Sequence, residues 1–336
     1  MATLTAIFSA VLLMGALGFV FGAILSYASQ KFAVTVDPRI ETAISLLPGA
    51  NCGGCGFPGC AGLATAIVEK GVPISSCPVL TAAARAKLAL ALGLADTGPT
   101  TPLVATVMCN GLPAEEYRKF EYNGIIDCQA AILVSNGPWL CPHRCVGLGS
   151  CVKVCPFGAM TMGENRLPII DKEKCTACGK CVTACPKAII KLVDKEKKVH
   201  VKCNSPEKGP DVRKVCKVGC IGCQLCKKVC AYDAIIIENN LARIDYSKCV
   251  QCGACVAKCP QKTIIMEGVP DFKPRKAIID EAACVGCTLC FKVCKFQAVE
   301  GGTPKEKHRI IPAKCVGCGA CVAKCPKKCI VLKPVE

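Results

Sequence analysis

The chain has 336 residues, of which 33 are cysteine, and its formal net charge is +17. The odd cysteine count and the chain length argue against a small disulfide-bonded scaffold. An aromatic content of 5% without an accompanying motif argues against nucleic-acid binding.

The N-terminal 30 residues contain no charged side chain, and Leu4 to Tyr27 form one apolar stretch. This stretch is long enough for one transmembrane helix. A cleaved signal peptide is the alternative, but the segment lacks a positive n-region and a clear small-residue cleavage site. The first charges, Lys31 and Arg39, follow the stretch, so the positive-inside bias places the rest of the chain on the cytoplasmic side. We therefore expect residues 1–30 to be a single-pass membrane anchor.

Residues 31–95 are predicted to form a small helical domain around a glycine-rich cysteine motif, Asn51 to Cys60, with Cys77 further along. Residues 61–70 and 80–95 are rich in Ala and Leu and are predicted to be helices. The glycines let the backbone bend tightly, so that amide groups can approach sulfur. Cys52, Cys55, Cys60 and Cys77 are the candidate ligands of one [4Fe-4S] cluster.

Residues 96–140 are predicted to be a linker and a small segment. Residues 96–103 are rich in Thr, Pro and Gly, which is typical of a linker. The remainder contains Cys109, Cys128 and Trp139, and its fold is not evident from the sequence.

From residue 141 onward the chain is repetitive, with five Cys-x-x-Cys-x-x-Cys-x-x-x-Cys quartets beginning at Cys175, Cys220, Cys249, Cys284 and Cys315. This spacing is typical of bacterial ferredoxins, in which three thiolates bind one [4Fe-4S] cube and the fourth binds a neighbouring cube. Zinc sites more often use two separated Cys-x-x-Cys pairs, or histidine. Reduced thiolates and oxygen-sensitive clusters indicate a reducing compartment.

The quartets alternate between two kinds. Those at Cys175, Cys249 and Cys315 have Gly after the second cysteine and Pro after the fourth, whereas those at Cys220 and Cys284 have neither. Short β-branched runs flank the quartets, as in ferredoxin hairpins. The alternation predicts three two-cluster ferredoxin modules, over residues 141–195, 196–270 and 271–336. The predicted fold class is therefore α+β, with a membrane helix and a small helical domain ahead of these modules.

The first predicted module begins irregularly. Shifted by 75 residues, Cys141, Cys145, Cys151 and Cys155 align with Cys216, Cys220, Cys226 and Cys230, but Leu148 occupies the position of Cys223. The second module therefore has five cysteines for four ligand roles. The spacing favours Cys220, Cys223 and Cys226, with Cys216 left over. In the first module, Cys141 is then expected to replace the missing ligand.

The leading cysteines of each motif are expected to join the last cysteine of its partner motif. With the N-terminal domain, this rule predicts about seven [4Fe-4S] clusters. The predicted ligand sets are Cys52, Cys55, Cys60 and Cys77; Cys141, Cys145, Cys151 and Cys185; Cys175, Cys178, Cys181 and Cys155; Cys220, Cys223, Cys226 and Cys259; Cys249, Cys252, Cys255 and Cys230; Cys284, Cys287, Cys290 and Cys325; and Cys315, Cys318, Cys321 and Cys294.

Five cysteines remain outside these sets, namely Cys109, Cys128, Cys203, Cys216 and Cys329. Each is interpreted as a buried, small apolar side chain, although Cys109 and Cys128 remain candidates for a site with partners elsewhere. Gly54-x-Gly56-x-x-Gly59 matches the dinucleotide fingerprint, but no strand precedes it and cysteines interrupt it, so it is not interpreted as a nucleotide site. No catalytic residue is predicted.

The basic charge lies in the cysteine-rich part. Residues 141–336 hold 35 Lys and Arg against 17 Asp and Glu, whereas residues 1–140 hold 7 against 8. Each oxidised cube with four thiolates contributes roughly −2. Most of the lysine excess is therefore expected to balance clusters, and the remainder favours an acidic partner.

The whole layout resembles the B subunit of the Rnf complex, the ion-translocating ferredoxin:NAD⁺ oxidoreductase. The resemblance rests on the apolar N-terminal helix, the Asn51–Cys60 motif with Cys77, and the ferredoxin array from Cys141. Short members of that family carry a single two-cluster module, and this longer array resembles the form of anaerobic bacteria such as clostridia and acetogens.

The resemblance implies an electron-transport subunit at the inner face of the cell membrane. Reduced ferredoxin or flavodoxin would deliver electrons, which would be carried to membrane subunits and to a separate subunit that binds NAD and flavin. Electron flow would be coupled to Na⁺ or H⁺ translocation. The chain would take part in an oxidoreductase without breaking substrate bonds itself.

Two other functions share some of these features. A membrane-tethered wiring subunit of a hydrogenase or formate dehydrogenase complex would carry similar clusters but would receive electrons from a catalytic partner. A corrinoid-reactivating or methyl-transfer protein would share the Cys52 motif but would need a cobalamin-binding domain, for which residues 104–140 are too few.

Overall fold

The computed structural model describes residues 2–31, 37–96, 98, 101–111, 115–270, 272–301 and 303–335. The chain begins with a long helix, continues into a small helical domain, and ends in three β-rich units that share one topology. The helices are α1 (Ala2–Lys31), α2 (Pro38–Leu46), α3 (Gly59–Lys70), α4 (Ala82–Leu92), α5 (Cys128–Leu133), α6 (Ser150–Lys153), α7 (Lys180–Ala184), α8 (Gly209–Val215), α9 (Leu225–Lys228), α10 (Ala254–Lys258), α11 (Leu289–Val293) and α12 (Ala320–Lys324).

The first helix, α1, is long and apolar enough to cross a membrane. Its large side chains from Leu12 onward are exposed; Phe19, for example, retains 79% of its accessible surface. A helix in a soluble core would bury such side chains, because exposing them to water is unfavourable. The exposed apolar surface of α1 is therefore suited to lipid.

The N-terminal domain packs α2, α3 and α4 around one apolar core. Ala43, Leu63, Ile67 and Leu88 are almost completely buried there. The α2 helix begins at Pro38, with the Asp37 carboxylate accepting a hydrogen bond from the Arg39 amide. The two helices predicted at 61–70 and 80–95 correspond to α3 and α4, whereas α2 was not predicted from the sequence.

Twelve short strands form six antiparallel pairs in the described part of the chain. The strands are β1 (Leu103–Val107), β2 (Met160–Met162), β3 (Pro168–Ile170), β4 (Ile190–Asp194), β5 (Val199–Val201), β6 (Ile235–Glu238), β7 (Leu241–Ile244), β8 (Ile264–Met266), β9 (Arg275–Ile279), β10 (Val299–Glu300), β11 (Arg309–Ile310) and β12 (Ile330–Pro334).

Each β-rich unit pairs its first strand with its last and its two middle strands with each other. Thus β1 pairs with β4, β5 with β8, and β9 with β12, while β2–β3, β6–β7 and β10–β11 are the inner pairs. We call the units module 1 (103–194), module 2 (199–266) and module 3 (275–334). Two short helices in each module carry cysteines into the interior.

Module 1 is longer than the sequence predicted. Strand β1 lies in the segment predicted to be a linker and small segment, yet its residues Leu103–Val107 pair with Asp194–Ile190. Residues 97, 99 and 100 of the predicted linker lie outside the described residues. The segment from 108 to 140 is thus an insertion after the first strand of module 1, and it includes α5.

Candidate metal centres

The four cysteines predicted in the N-terminal domain converge beside its core. Cys55, Cys60 and Cys77 pack against the core that includes Leu63 and Ile67. The Asn51 side-chain oxygen accepts a hydrogen bond from the Cys60 amide at 2.8 Å, which holds the loop in place. Burial raises the pKa of the Cys77 thiol, and the neighbouring Cys55 and Cys52 raise it further. The loop and Cys77 therefore present their sulfur atoms to a common space.

Module 2 has two cavities, each lined by four cysteines. The first cavity is lined by Cys220, Cys223, Cys226 and Cys259. The second is lined by Cys230, Cys249, Cys252 and Cys255. In both, three cysteines come from one motif and the fourth from the other, which is the exchange expected of a two-cluster ferredoxin. Cys216 does not line either cavity.

Module 3 repeats this arrangement. One cavity is lined by Cys284, Cys287, Cys290 and Cys325, together with Cys329. The Sγ atoms of Cys325 and Cys329 lie 3.4 Å apart, so both thiols reach the same wall. In the other half of the module, burial raises the pKa of Cys321 to about 12, and the neighbouring Cys318, Cys315 and Cys294 raise it further.

The second site of module 1 has the predicted members. Burial raises the pKa of Cys181 to about 12, and the neighbouring thiols that add to this effect include Cys175, Cys178 and Cys155. The backbone amide of Ala105, in β1, lies 3.5 Å from the Cys175 sulfur as a hydrogen-bond donor. A residue of β1 thus contacts a candidate cluster ligand, because β1 forms one edge of this module.

The first site of module 1 differs from the predicted set. Burial raises the pKa of Cys151 to about 11, and the neighbouring thiols that act on it are Cys128 and Cys185. Burial also raises the pKa of Cys145, and Cys151 and Cys128 are among its neighbours. Cys128 begins α5 and is held there by its amide, which donates to the Ser150 hydroxyl at 2.7 Å. Cys128 therefore lies where Leu148 leaves a ligand position open.

Cys141, expected in that set, instead lines a separate cavity at the junction of modules 1 and 2. Cys109, Cys203 and Cys216 line the same cavity. The sequence-based interpretation of those three cysteines as buried apolar side chains missed that the fold brings them together. The available signal was positional: Cys109 and Cys203 each follow a short β-branched strand by two residues.

Amide groups point at sulfur in several of these sites. Ala234 donates to Cys230 at 3.3 Å, Ala277 to Cys315 at 3.4 Å, and Ala298 to Cys294 at 3.3 Å. The Gln251 side-chain amide donates to Cys249 at 3.2 Å. Hydrogen bonds to sulfur stabilise negative charge on thiolates and tune cluster potentials.

The geometry of the cysteines fits a cluster better than a single ion. Among the residues that the structure describes, no three His, Cys, Asp or Glu side chains converge closely enough to hold one metal ion. Zinc would require four ligands to meet at about 2.3 Å from one centre. Four cysteines spread around the wall of a cavity suit a larger inorganic core, which is what a [4Fe-4S] cube supplies.

Family models match most of the cysteine-rich regions. A model for an Fe-S cluster matches residues 47–79. Models of a 4Fe-4S dicluster domain match residues 144–190 and 219–264, residues 248–298, and residues 277–332. The matched ranges overlap across modules 2 and 3, so the strand pairing, rather than these matches, defines which quartets share a module.

Three curated relatives, all named as the B subunit of a membrane complex, align with about three quarters of the chain. That of the "Ion-translocating oxidoreductase complex" of Methanosarcina acetivorans is 43% identical over 76% of this chain and 97% of its own length. That of the "Na(+)-translocating ferredoxin:NAD(+) oxidoreductase complex" of Acetobacterium woodii is 44% identical over 78% of each chain. That of the "Proton-translocating ferredoxin:NAD(+) oxidoreductase complex" of Clostridium ljungdahlii is 46% identical over 74% of this chain and 88% of its own.

Proposed function

The chain belongs to the family of B subunits of ion-translocating oxidoreductase complexes, and we propose that it carries electrons from reduced ferredoxin toward NAD⁺ within such a complex. It is an iron–sulfur electron-transfer subunit. A [4Fe-4S] cluster, when bound, accepts and releases one electron at a time. The chain itself supplies thiolates, positions the sites relative to one another, and controls access of water and partner proteins.

Seven cluster sites follow from the quartets and their neighbours. Six keep the ligand sets expected from the sequence, and in the first site of module 1 Cys128 replaces Cys141. The proposed sets are Cys52, Cys55, Cys60 and Cys77; Cys128, Cys145, Cys151 and Cys185; Cys155, Cys175, Cys178 and Cys181; Cys220, Cys223, Cys226 and Cys259; Cys230, Cys249, Cys252 and Cys255; Cys284, Cys287, Cys290 and Cys325; and Cys294, Cys315, Cys318 and Cys321.

The observation that carries the direction of transfer is the contact between the N-terminal domain and module 1. Gly54 lies against the backbone of Cys178, so closely that a Cβ at Gly54 would collide with the Cys178 carbonyl oxygen. Burial raises the pKa of Cys178, and Cys52 is the first of the neighbouring thiols that add to it. The N-terminal site is thus next to the second site of module 1 and is also the site tethered to α1.

Modules 2 and 3 meet through their second sites. The Tyr232 hydroxyl lies 3.4 Å from the Cys318 carbonyl oxygen, and Arg275 donates to the Cys252 carbonyl oxygen at 2.8 Å. Burial raises the pKa of Cys252, and Cys318 is the first neighbouring thiol that raises it further. The first site of module 3 therefore lies at the end of the array opposite to the N-terminal domain.

That distal end has the features of a docking surface for reduced ferredoxin. Cys287 is exposed there, beside the exposed apolar side chains of Val285 and Leu289. Residues 271–336 hold 13 Lys and Arg against 6 Asp and Glu. A basic surface around a solvent-accessible site would steer an acidic electron donor to it.

The exit end lies at the membrane. Helix α1 would anchor the chain in a single pass, with the cluster-bearing domains on the cytoplasmic side, where reduced ferredoxin and NAD⁺ are available. Membrane subunits and a separate NAD-binding, flavin-containing subunit would then receive the electrons, with Na⁺ or H⁺ translocated in response.

Replacement of Cys52 by Ala tests this function. In the assembled complex, the variant should remain reducible by ferredoxin at the module sites but should no longer deliver electrons to NAD⁺. The two measurements are the cluster EPR signals after addition of reduced ferredoxin and the rate of NADH formation. Unchanged NADH formation would refute the role of the N-terminal site as the exit.

A further inference from the structure

The cavity at the junction of modules 1 and 2 is lined by four cysteines that the seven proposed sites do not use, Cys109, Cys141, Cys203 and Cys216. Its volume is about 30 Å³, against about 20 Å³ for each of the two cysteine-lined cavities of module 2. The junction cavity is thus at least as large as the cavities that the ferredoxin motifs form.

The four cysteines occupy equivalent positions in the two modules. Cys109 follows the end of β1 by two residues, and Cys203 follows the end of β5 by two residues. Cys141 precedes Cys145 by four residues, and Cys216 precedes Cys220 by four residues. Each module therefore contributes one cysteine after its first strand and one before its first motif, so that two pairs face each other.

The backbone holds these segments together. The Asn110 amide, next to Cys109, donates to the carbonyl oxygen of Lys202, next to Cys203, at 3.2 Å. Across the same junction, His143 lies 3.2 Å from Glu207, and the Asn204 side chain donates to the Lys187 carbonyl oxygen at 3.0 Å. The cavity wall is therefore fixed by contacts that do not involve the thiols.

The thiols are buried and near one another. Burial raises the pKa of Cys141 to about 11, and Cys109 and Cys216 are the neighbouring thiols that raise it further. Burial also raises the pKa of Cys203 to about 11, where the neighbouring thiols are Cys220 and Cys109. For Cys216, burial is again the largest cause of a raised pKa, and Cys109 is the neighbouring thiol. Cys109 is thus common to all three neighbourhoods.

A buried positive charge lies against this group. The Arg144 side chain is nearly buried, and its guanidinium stacks 3.9 Å from the centre of the Trp139 ring. Burial lowers the pKa of Arg144, while Cys109, Cys145, Cys216 and Cys141 oppose this effect. Burying a guanidinium is unfavourable unless negative charge is close. A cube with four thiolates, at roughly −2, would supply that charge, whereas four neutral thiols would not.

Module 3 is the internal comparison. The positions equivalent to the cysteine pair are Glu281, two residues after β9, and Asp280, four residues before Cys284. Both are charged, and neither is a cluster ligand in a ferredoxin motif. The cysteine pair is therefore found in the two modules whose first halves face each other, and not in module 3.

We propose that Cys109, Cys141, Cys203 and Cys216 hold a further [4Fe-4S] cluster, shared equally by modules 1 and 2. This inference rests on the proposed electron-transfer function and deepens it. Cys109 adjoins Cys145 of the first site of module 1, and Cys203 adjoins Cys220 of the first site of module 2. The shared site thus lies between two sites that the ferredoxin motifs alone leave unconnected. Eight sets of four then use 32 of the 33 cysteines, and Cys329 alone is left over.

The test is the iron and acid-labile sulfide content of the full-length chain, purified anaerobically in detergent. The wild type should contain about 32 irons per chain, from eight cubes. Cys203→Ser and Cys216→Ser, each made alone, should lower this to about 28 or leave a three-iron remnant with a distinct EPR signal. Val215→Ala is the matched control, because Val215 lines the same cavity without a thiol, and it should retain about 32 irons.

The remaining irons report whether each variant has folded. A variant with about 28 irons and unchanged EPR signals from the other sites has lost the shared cluster only. A wild type with about 28 irons, unaltered by either substitution, would overturn the proposal. One zinc per chain that disappears in both variants would also overturn it. Because iron content does not depend on the electron donor, these outcomes are separate from those of the Cys52→Ala experiment.

Discussion

The two junctions between modules are built differently. Modules 1 and 2 meet at a buried electrostatic group, in which Glu267 binds Lys172 at 2.5 Å and Lys202 at 2.6 Å, with His200 3.7 Å away. Modules 2 and 3 meet through side chains that donate to backbone carbonyls, at Tyr232 and Arg275, and through an exposed ion pair of Lys295 with Asp233. The first junction also contains the four-cysteine cavity.

This difference shows which junction is expected to be rigid. A buried charge that loses its partner is costly, so the first junction resists separation. Exposed ion pairs and single neutral hydrogen bonds contribute little, so the second junction opens more easily. A site made of ligands from two modules requires the rigid junction, whereas two complete sites that only lie side by side do not.

The largest effect is expected from Glu267→Gln at the first junction. The amide cannot balance two lysines, and Lys202 is almost buried, so its charge would be left without compensation. We expect a loss of about 2–3 kcal/mol in the free energy of unfolding, between the values for exposed and buried pairs. The measurement is the guanidinium midpoint under anaerobic conditions, followed by cluster absorbance.

The matched control is Glu173→Gln. Glu173 pairs with Lys195 at 2.8 Å, but its side chain is 84% exposed. Its replacement should leave the guanidinium midpoint almost unchanged. Equal losses in the two variants would contradict the view that burial makes the first junction strong.

A second prediction concerns acid. Burial lowers the pKa of His200 to about 4, despite the nearby Glu267. In the unfolded chain histidine titrates near about 6.5, so protons bind the unfolded state first as the pH falls. The stability from neutral His200 is complete above about 6.5 and is lost as the pH falls toward 4. At pH 5 the loss is about 2 kcal/mol relative to pH 7.

The same group contains a carboxylate that loses stability at lower pH. Burial alone would raise the pKa of Glu267, but Lys202 and Lys172 outweigh it and lower the pKa to about 2. Its contribution is therefore complete above about 4.3 and is lost between that pH and 2. His200→Asn should flatten the decline between pH 7 and pH 5, measured as the difference in guanidinium midpoint. An identical decline in the variant would exclude His200 as its source.

A smaller effect is expected at the second junction. Tyr232→Phe removes one long hydrogen bond to the Cys318 carbonyl oxygen. The expected loss is below about 1 kcal/mol, since a neutral hydrogen bond contributes little net stability. The iron content should not change. A loss as large as that of Glu267→Gln would show that the second junction is also held by a buried contact.

The smallest effect is expected from Cys329→Ala. Cys329 lies 3.4 Å from Cys325, but Cys325 follows the motif spacing of a ligand, whereas Cys329 stands four residues beyond it. Iron per chain should equal that of the wild type. A loss of about four irons would assign the ligand role to Cys329 and would mean that module 3 departs from the ferredoxin exchange rule.

The sequence allowed the quartets and their exchange to be predicted because spacing within a motif is local. The alternation of Gly and Pro around the quartets, as at Gly179 and Pro186, was enough to group them into modules that agree with the strand pairs. What could not be predicted depends on distance along the chain. Strand β1 lies 83 residues before its partner β4, counted from Val107 to Ile190, and no local pattern links the two.

The same reason explains Cys128 and the junction cysteines. Cys141 was expected to replace the missing ligand because it is the nearest preceding cysteine in sequence to Cys145. The insertion after β1 instead brings α5, and with it Cys128, next to Ser150 and Cys151. A comparison of residues after equivalent strands, Val107-Met108-Cys109 with Val201-Lys202-Cys203, would have revealed the repeated cysteine without a structure.

The order of contacts, from the N-terminal domain through modules 1 and 2 to module 3, is a single file without branches. Such an arrangement has no bypass. Damage by oxygen at one site would isolate every site on its far side, whichever site was hit first. The chain as a whole is then as oxygen-sensitive as its most exposed member, and the exposed thiols Cys223 and Cys287 mark where that vulnerability is greatest.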